Sequence, residues 1–309
     1  MPSPSKWQHL PTEAIHPATR HIDTLPSAAI VRRMANEDRR VVAAVRRVHA
    51  SIARGADLIA AALAAGGRLV FVGAGTSGRL GALEAAEIPP TFGTPPSVVR
   101  AVIAGGRAAM FRAREGAEDD RAAGALSMAR LKISSRDVVV AISASGITPF
   151  VQAALARARR QRADTIIVTC SPTTAARGLA DLVIAPRVGP EVIAGSTRLK
   201  AGTATKMVLN MLTTTAMIRV GKTYGNLMVD VRSGSAKLKD RARRIVATVT
   251  RLPPREAGAL LRRAKWNVKA AIVIHTAGIS HAQALTRLQA ARGAVRGALE
   301  GDRGAGGSG

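Results

Sequence analysis

The chain has 309 residues, enough for one large α/β domain with a small appendage. It carries 46 Lys and Arg against 20 Asp and Glu, a net charge of +26, and is 47% hydrophobic but only 2% aromatic, so its core must be Ala, Val, Leu and Ile. The low aromatic content argues against a base-stacking nucleic-acid platform. Such a charge would suit a polyanion, but the basic residues are scattered pairs such as Arg32-Arg33, Arg46-Arg47, Arg159-Arg160 and Arg243-Arg244 on helical segments. They read as solvated faces, with no specific nucleic-acid partner and only salt-sensitive adhesion to polyanions. The single Cys170 excludes an internal disulfide framework and a cysteine-based zinc site. Six scattered histidines show no ligand spacing, so no metal site is expected; no cofactor is expected either. The N-terminus lacks a charged-then-apolar leader pattern, and no apolar run of about 18 residues occurs. No membrane span is therefore expected, and the default location is the cytoplasm.

In chain order, residues 1–24 are Pro-rich and polar and are expected to wrap the surface. Residues 27–36 and 39–63 read as helices, with apolar positions at Val41, Val45, Val48, Ile52 and Ile59. Gly66-Gly67 then launch a buried strand, Leu69-Val70-Phe71-Val72. It breaks into Gly73-Ala-Gly75-Thr76-Ser77-Gly78, followed by a helix over residues 79–87 that Pro89-Pro90 are expected to stop. A strand feeding a glycine loop at a helix N-terminus is an anion site, because free N–H groups and the helix dipole converge there. Gly73, Gly75 and Gly78 match GxGxxG, but a dinucleotide site also needs an acid roughly 20 residues on. Residues 94–100 read TPPSVVR, without one. Thr76 and Ser77 instead place hydroxyls beside Gly78, which favours a compact sugar phosphate over a dinucleotide.

Further strands are expected at residues 97–103, 138–142, 165–170 and 182–185, with helices at 108–118, 121–131, 150–161 and 196–220. Alternating strands and helices specify a doubly wound α/β parallel sheet, with ligands at the carboxyl ends of the strands near a switch in strand order. The loops 73–78 and 143–148 are therefore expected to face one pocket. Beyond about residue 232 only helices are expected, at 237–250, 254–263, 268–276 and 280–290. The organisation reads as an N-terminal arm with helices (1–64), a sugar-phosphate-binding domain (65–232), a C-terminal helical segment (233–300) and a flexible tail (301–309).

Three groups of residues carry chemistry. Ser143, Ser145 and Thr148, with Gly146, form a hydroxyl-rich turn opening a helix; one cap needs one hydroxyl, so three favour phosphate binding. Glu84 and Glu87 share a helix face, and Glu115, Glu118, Asp119 and Asp120 cluster further on. Two carboxylates from separate elements suit an acid and a base, and equally suit ion pairs with the abundant Arg; spacing leaves both open. The stretch 189–203 places Glu191, Ser196, Arg198 and Lys200 at another helix start, where Ser196 suits a cap and the cations suit an anion.

Together these phrases resemble the N-acetylmuramic acid 6-phosphate etherases, bacterial enzymes on a SIS (sugar isomerase) domain. The matching stretches are GAGTSGRLGALEAAEIPPTFG at 73–93, IAGG at 103–106, EGAEDD at 115–120, SASGITPF at 143–150, VGPEVIAGSTRLKAGTATKMVLNMLTT at 188–214 and GKTYGNLMVDV at 221–231. They cover most of residues 65–235. The resemblance implies a SIS sandwich with a small UBA-like C-terminal segment, a homodimer and a metal-free reaction. A D-lactyl ether is cleaved by elimination and water then adds, giving N-acetylglucosamine 6-phosphate and D-lactate. It places Glu87 at the proton donor and Glu118 at the base, and it implies substrate contacts from Thr76, Ser77, Gly78, Ser143, Ser145, Gly146, Thr148, Glu191, Ser196 and Lys200. Ile147 stands where the family often has Arg, and Glu84 where it usually has Asp. A phosphosugar-sensing regulator and an aldose–ketose isomerase on the same fold are the alternatives.

Overall fold

The computed structural model describes residues 9–171, 178–231 and 234–300. Five strands, β1 (Leu69–Gly73), β2 (Val99–Ile103), β3 (Val138–Ile142), β4 (Asp164–Val168) and β5 (Leu182–Ile184), form one parallel sheet in the order β2-β1-β3-β4-β5. The register is continuous across the switch: Gly73 pairs with Ile103 on one side and with Ile142 on the other. The central strands β1 and β3 are apolar and buried throughout because both faces are covered. Val70, Val72, Val139 and Ala141 pack under α4 (Arg121–Arg130) and α5 (Pro149–Arg160), sharing a core with Met128, Phe150 and Leu155. On the opposite face lie α2 (His49–Ala64) and α3 (Gly75–Phe92), where small residues permit close approach. A Cβ on Gly81 would stand 2.9 Å from the Phe71 Cβ, and one on Gly55 3.4 Å from Ile166 Cδ1. α1 (Ser27–Arg46) precedes α2, and α6 (Lys200–Arg219) follows the sheet.

Several boundaries differ from expectation for identifiable reasons. The expected break at residues 37–38 is absent and α1 continues to Arg46. Glu37, in the stretch expected to break, is buried and paired with Lys200. Pro89 and Pro90 sit inside α3 instead of stopping it. The Gly93 N–H still donates to the Pro89 carbonyl (2.9 Å), the Thr91 hydroxyl donates to the Glu87 carbonyl (2.7 Å), and Gly93 at φ +66° ends the helix. The helix expected at 108–118 is instead two 3-10 turns, Arg107–Met110 and Ala117–Asp119.

The described residues group into two compact units, one holding those up to Ala85 with Pro96–Thr213, the other holding Ala86–Pro95 with those from Thr214 onward. This division cuts through α3 and α6, elements that composition alone leaves whole. The second unit contains a short antiparallel hairpin, β6 (Thr223–Tyr224) and β7 (Leu227–Met228), not expected from sequence. Its helices are α7 (Ala236–Thr250), α8 (Pro254–Arg263), α9 (Val268–Ala277), α10 (His281–Ala290) and α11 (Val295–Glu300). They share a core of Val246, Leu261, Ile272, Val273 and Leu288. Lys269 is buried there, donating to the Gly221 and Gly293 carbonyls and pairing with Asp230 (2.6 Å).

Candidate active site

The switch between β1 and β3 sends two loops off the carboxyl edge of the sheet. In the first, β1 turns straight into α3. Gly73 and Gly78 touch through backbone: a Cβ on Gly73 would lie 2.7 Å from the Gly78 nitrogen, and one on Gly78 would lie 2.8 Å from the Gly73 carbonyl oxygen. Gly75 adopts φ +52° at the turn. The Gly78 N–H returns to the Ala74 carbonyl (3.1 Å). The earlier N–H groups of Gly75, Thr76 and Ser77 belong to the first turn, which has no intrahelical acceptors, so they can hold an anion. Thr76 and Ser77 are half-buried beside them.

The second loop is largely self-satisfied. Ser143 is buried; its hydroxyl shares a 2.8 Å hydrogen bond with that of Thr148 and accepts from the Gly146 N–H (3.1 Å). Gly146, at φ +74°, makes this turn possible. Ser145 is half-buried and its oxygen accepts from the Ile147 N–H (3.4 Å), which leaves its hydroxyl proton available. Ser143, Gly146 and Thr148 thus shape the turn, while Ser145 and the first-loop donors retain capacity for a ligand.

The acidic cluster divides by role. Gly116 at φ +72° turns the chain into the 3-10 turn carrying Glu118. The Asp120 carboxylate caps α4, accepting from the Ala123 N–H (2.8 Å). Glu118 is exposed and, with Glu115, lines a cavity of about 200 Å³ whose walls include Ala74, Gly75, Arg79 and Arg114. The structure thus brings Glu118 to the start of α3. The lining of this cavity does not include the second loop.

Glu84 and Glu87 also separate. Glu84 is buried, paired with Lys206 (2.5 Å) and hydrogen-bonded by the Thr213 hydroxyl, so its carboxylate is fully occupied. Glu87 belongs to the second unit, is exposed, and takes part in none of the ion pairs among the described residues.

Two domain models match this region, the glucokinase regulatory protein N-terminal SIS domain over residues 51–159 and the SIS domain over residues 106–215. Whole-chain relatives are closer. An N-acetylmuramic acid 6-phosphate etherase of Gloeobacter violaceus is 53% identical over 292 residues, 94% of this chain and 95% of the relative. One of Rubrobacter xylanophilus is 50% identical over 290 residues, 94% and 96% of the two chains. A third, from Vibrio cholerae, is 49% identical over 292 residues, 94% and 95% of the two chains. The chain belongs to the N-acetylmuramic acid 6-phosphate etherase family.

In this family member the third predicted loop is occupied by the protein itself. Glu191 is buried, and its carboxylate accepts from the N–H groups of Lys200 (3.0 Å) and Ala201 (2.9 Å), capping α6. Burial pushes the Glu191 pKa up, and these two bonds and the Lys200 charge offset it only in part. Lys200 is 1% exposed; its ammonium lies 2.7 Å from Glu37, which also faces His16 (3.1 Å). Burial raises the Glu37 pKa, but the bond to Lys200 and the charges of Lys200, His16 and Arg40 together bring it below the ordinary value. The N-terminal arm is pinned to the same loop: the Thr19 hydroxyl donates to the Val192 carbonyl (3.0 Å) and the Gly195 N–H to that of Thr12 (3.1 Å). Ser196 is half-buried in that loop. Sequence reasoning missed Glu37 and His16, which join Lys200 in one cluster only through the fold, and gave Arg79 no role. Cys170 is buried, and burial with the nearby Glu191 charge pushes its thiol up to about 12. It is therefore no nucleophile.

Proposed function

We propose that this chain cleaves the D-lactyl ether of N-acetylmuramic acid 6-phosphate, a carbon–oxygen lyase reaction giving N-acetylglucosamine 6-phosphate and D-lactate. Identity of 53% across nearly the whole length of a named etherase carries this reading. Opening of the sugar ring exposes an aldehyde that acidifies the proton on C2. Glu118, exposed on the cavity wall, takes that proton. The C3–oxygen bond breaks, and Glu87 protonates the departing lactate oxygen. Water then adds to the unsaturated sugar, so the net reaction consumes one water. The phosphate is held by the first-turn N–H groups of α3, the hydroxyls of Thr76 and Ser77, and Ser145. Glu191 and Lys200 act indirectly, by fixing the loop that presents Ser196.

No metal or cofactor enters this scheme. We place the enzyme in the cytoplasm; among the described residues no helix is long and apolar enough to cross a membrane. We also read it as a homodimer. Val31 and Val42 on α1, Leu83 on α3 and Phe111, 91% exposed, leave apolar surface for a second copy to cover.

The deciding experiment incubates the protein with N-acetylmuramic acid 6-phosphate and assays free lactate. Wild type releases lactate, and Glu87→Gln binds the sugar phosphate but releases none. Normal turnover by Glu87→Gln would remove that residue from the mechanism. Sugar product of unchanged mass would point to an isomerase, and binding without any product to a sensor.

A further inference from the structure

We propose that Arg79 binds the carboxylate of the departing lactyl group and thereby selects substrates with an acid on the ether side chain. This rests on the etherase reading. Arg79 lies one turn into α3 and is half-buried. Its Nε–H donates to the Met110 carbonyl (3.0 Å), which fixes the plane of the guanidinium. That bond uses one of five N–H donors and leaves the two terminal nitrogens free for a bidentate acceptor.

The surroundings point to a ligand rather than a protein partner. Carboxylates are scarce in this chain, and three of the buried ones are claimed by nearby cations: Glu37 by Lys200, Glu84 by Lys206 and Asp137 by Arg68. Arg79 lines the same cavity as Glu115 and Glu118, yet none of the ion pairs among the described residues includes it. A fixed, half-buried guanidinium beside two acids, paired with neither, is poised for an anion from outside.

The substrate carries two anions. Its phosphate is served by the start of α3. Its carboxylate hangs from the oxygen on C3, next to the carbon that Glu118 deprotonates. Whatever holds the carboxylate must therefore share a cavity with the base, and Arg79 does. The same charge offsets the repulsion between the Glu118 carboxylate and the substrate acid, which would otherwise oppose binding. Arg114 also lines this cavity, but it is exposed, and its stem packs over Gly105, where a Cβ would lie 3.0 Å from Arg114 Cδ. Among the described residues no hydrogen bond of its guanidinium fixes it as Met110 fixes Arg79.

The test compares kcat/KM on N-acetylmuramic acid 6-phosphate and on its lactyl methyl ester, reading formation of N-acetylglucosamine 6-phosphate. The ester keeps the ether and the phosphate but loses the negative charge. Wild type is expected to prefer the acid by about 100-fold, and Arg79→Gln to lose that preference, chiefly through KM, while its ester rate stays within about threefold. Arg79→Lys, which keeps the charge without the fork, is expected to fall between them. An equal loss on both substrates in Arg79→Gln, or a wild type indifferent to the charge, overturns the assignment. If Arg79→Gln does not fold, Arg79→Lys decides: a lower acid-to-ester ratio supports the proposal and an unchanged ratio overturns it. Wild type that yields no N-acetylglucosamine 6-phosphate from the acid defeats the etherase reading itself, a different outcome from a working enzyme blind to the carboxylate.

Discussion

The starts of α3 and α6 read alike in sequence: each has a glycine-rich lead-in, hydroxyls and nearby cations. In the structure they do opposite things. Among the described residues the first-turn N–H groups at the start of α3 have no acceptor, and they lie beside a cavity walled by Glu118 and Arg79. The start of α6 is stoppered by the Glu191 carboxylate, and its lysine is turned inward onto Glu37. An anion already occupies the second helix end, and it belongs to the protein. A helix N-terminus is an anion site only where the chain does not supply the anion, and sequence spacing does not say whether it does. Burial makes the distinction, since Glu191 is 1% exposed and Glu118 stands in solvent.

Substitutions at the two ends should therefore fail in different ways. The largest effect is expected at the open end. Glu118→Gln removes a base and should lower kcat for lactate release by about 10²–10⁴-fold. Because Glu118 is exposed, its stability in urea should shift by no more than about 0.5 kcal/mol. A variant that unfolds more readily instead would reassign Glu118 to the scaffold. At the closed end the pattern inverts. Lys200→Met removes the buried cation hydrogen-bonded to Glu37 and leaves it only His16 and the exposed Arg40, which should cost about 3 kcal/mol of stability. The fraction still folded should keep a kcat near that of wild type, because Lys200 reaches Glu37 rather than the cavity. A fully stable Lys200→Met that cannot bind sugar phosphate would return Lys200 to the ligand.

What was legible in the chain follows the same division between local and distant causes. Strand β3 was readable to the residue, Val138 to Ile142, because a doubly covered strand is apolar at every position. The glycine turn after β1 was readable because Gly73 and Gly78 answer to contacts five residues apart. The C-terminal helices expected at 268–276 and 280–290 also lie close to those observed, and the structure adds their caps, Asn267 and Ser280, each accepting from an N–H three residues on. Glu37 was not readable, since what turns it inward is a lysine 163 residues away. Likewise, within the acidic run at 115–120, spacing left acid–base and ion-pair roles open. Only the fold shows that Asp120 caps a helix while Glu115 and Glu118 face a cavity.

A third acid, Asp137, sharpens the contrast at the smallest scale, because it is buried like Glu191 but lies at the opposite edge of the sheet. Its carboxylate accepts from the Arg68 N–H and guanidinium (3.0 and 2.7 Å) and from the Ser134 N–H (2.9 Å), tying the entry of β1 to that of β3. Burial alone would raise its pKa, but the bonds from Arg68 and Ser134 and the Arg68 charge outweigh burial and leave it below the ordinary 3.8. As pH falls, the unfolded chain protonates this group first, so the folded state loses stability through that window. Below the folded pKa both states are protonated and the contribution is gone. Asp137→Asn should therefore be less stable than wild type by about 2 kcal/mol near neutral pH. Urea midpoints of the two should converge as pH drops below the ordinary aspartate value. A gap that stays constant down to that range would mean that Asp137 supports the sheet by shape and hydrogen bonding alone, with its charge contributing nothing.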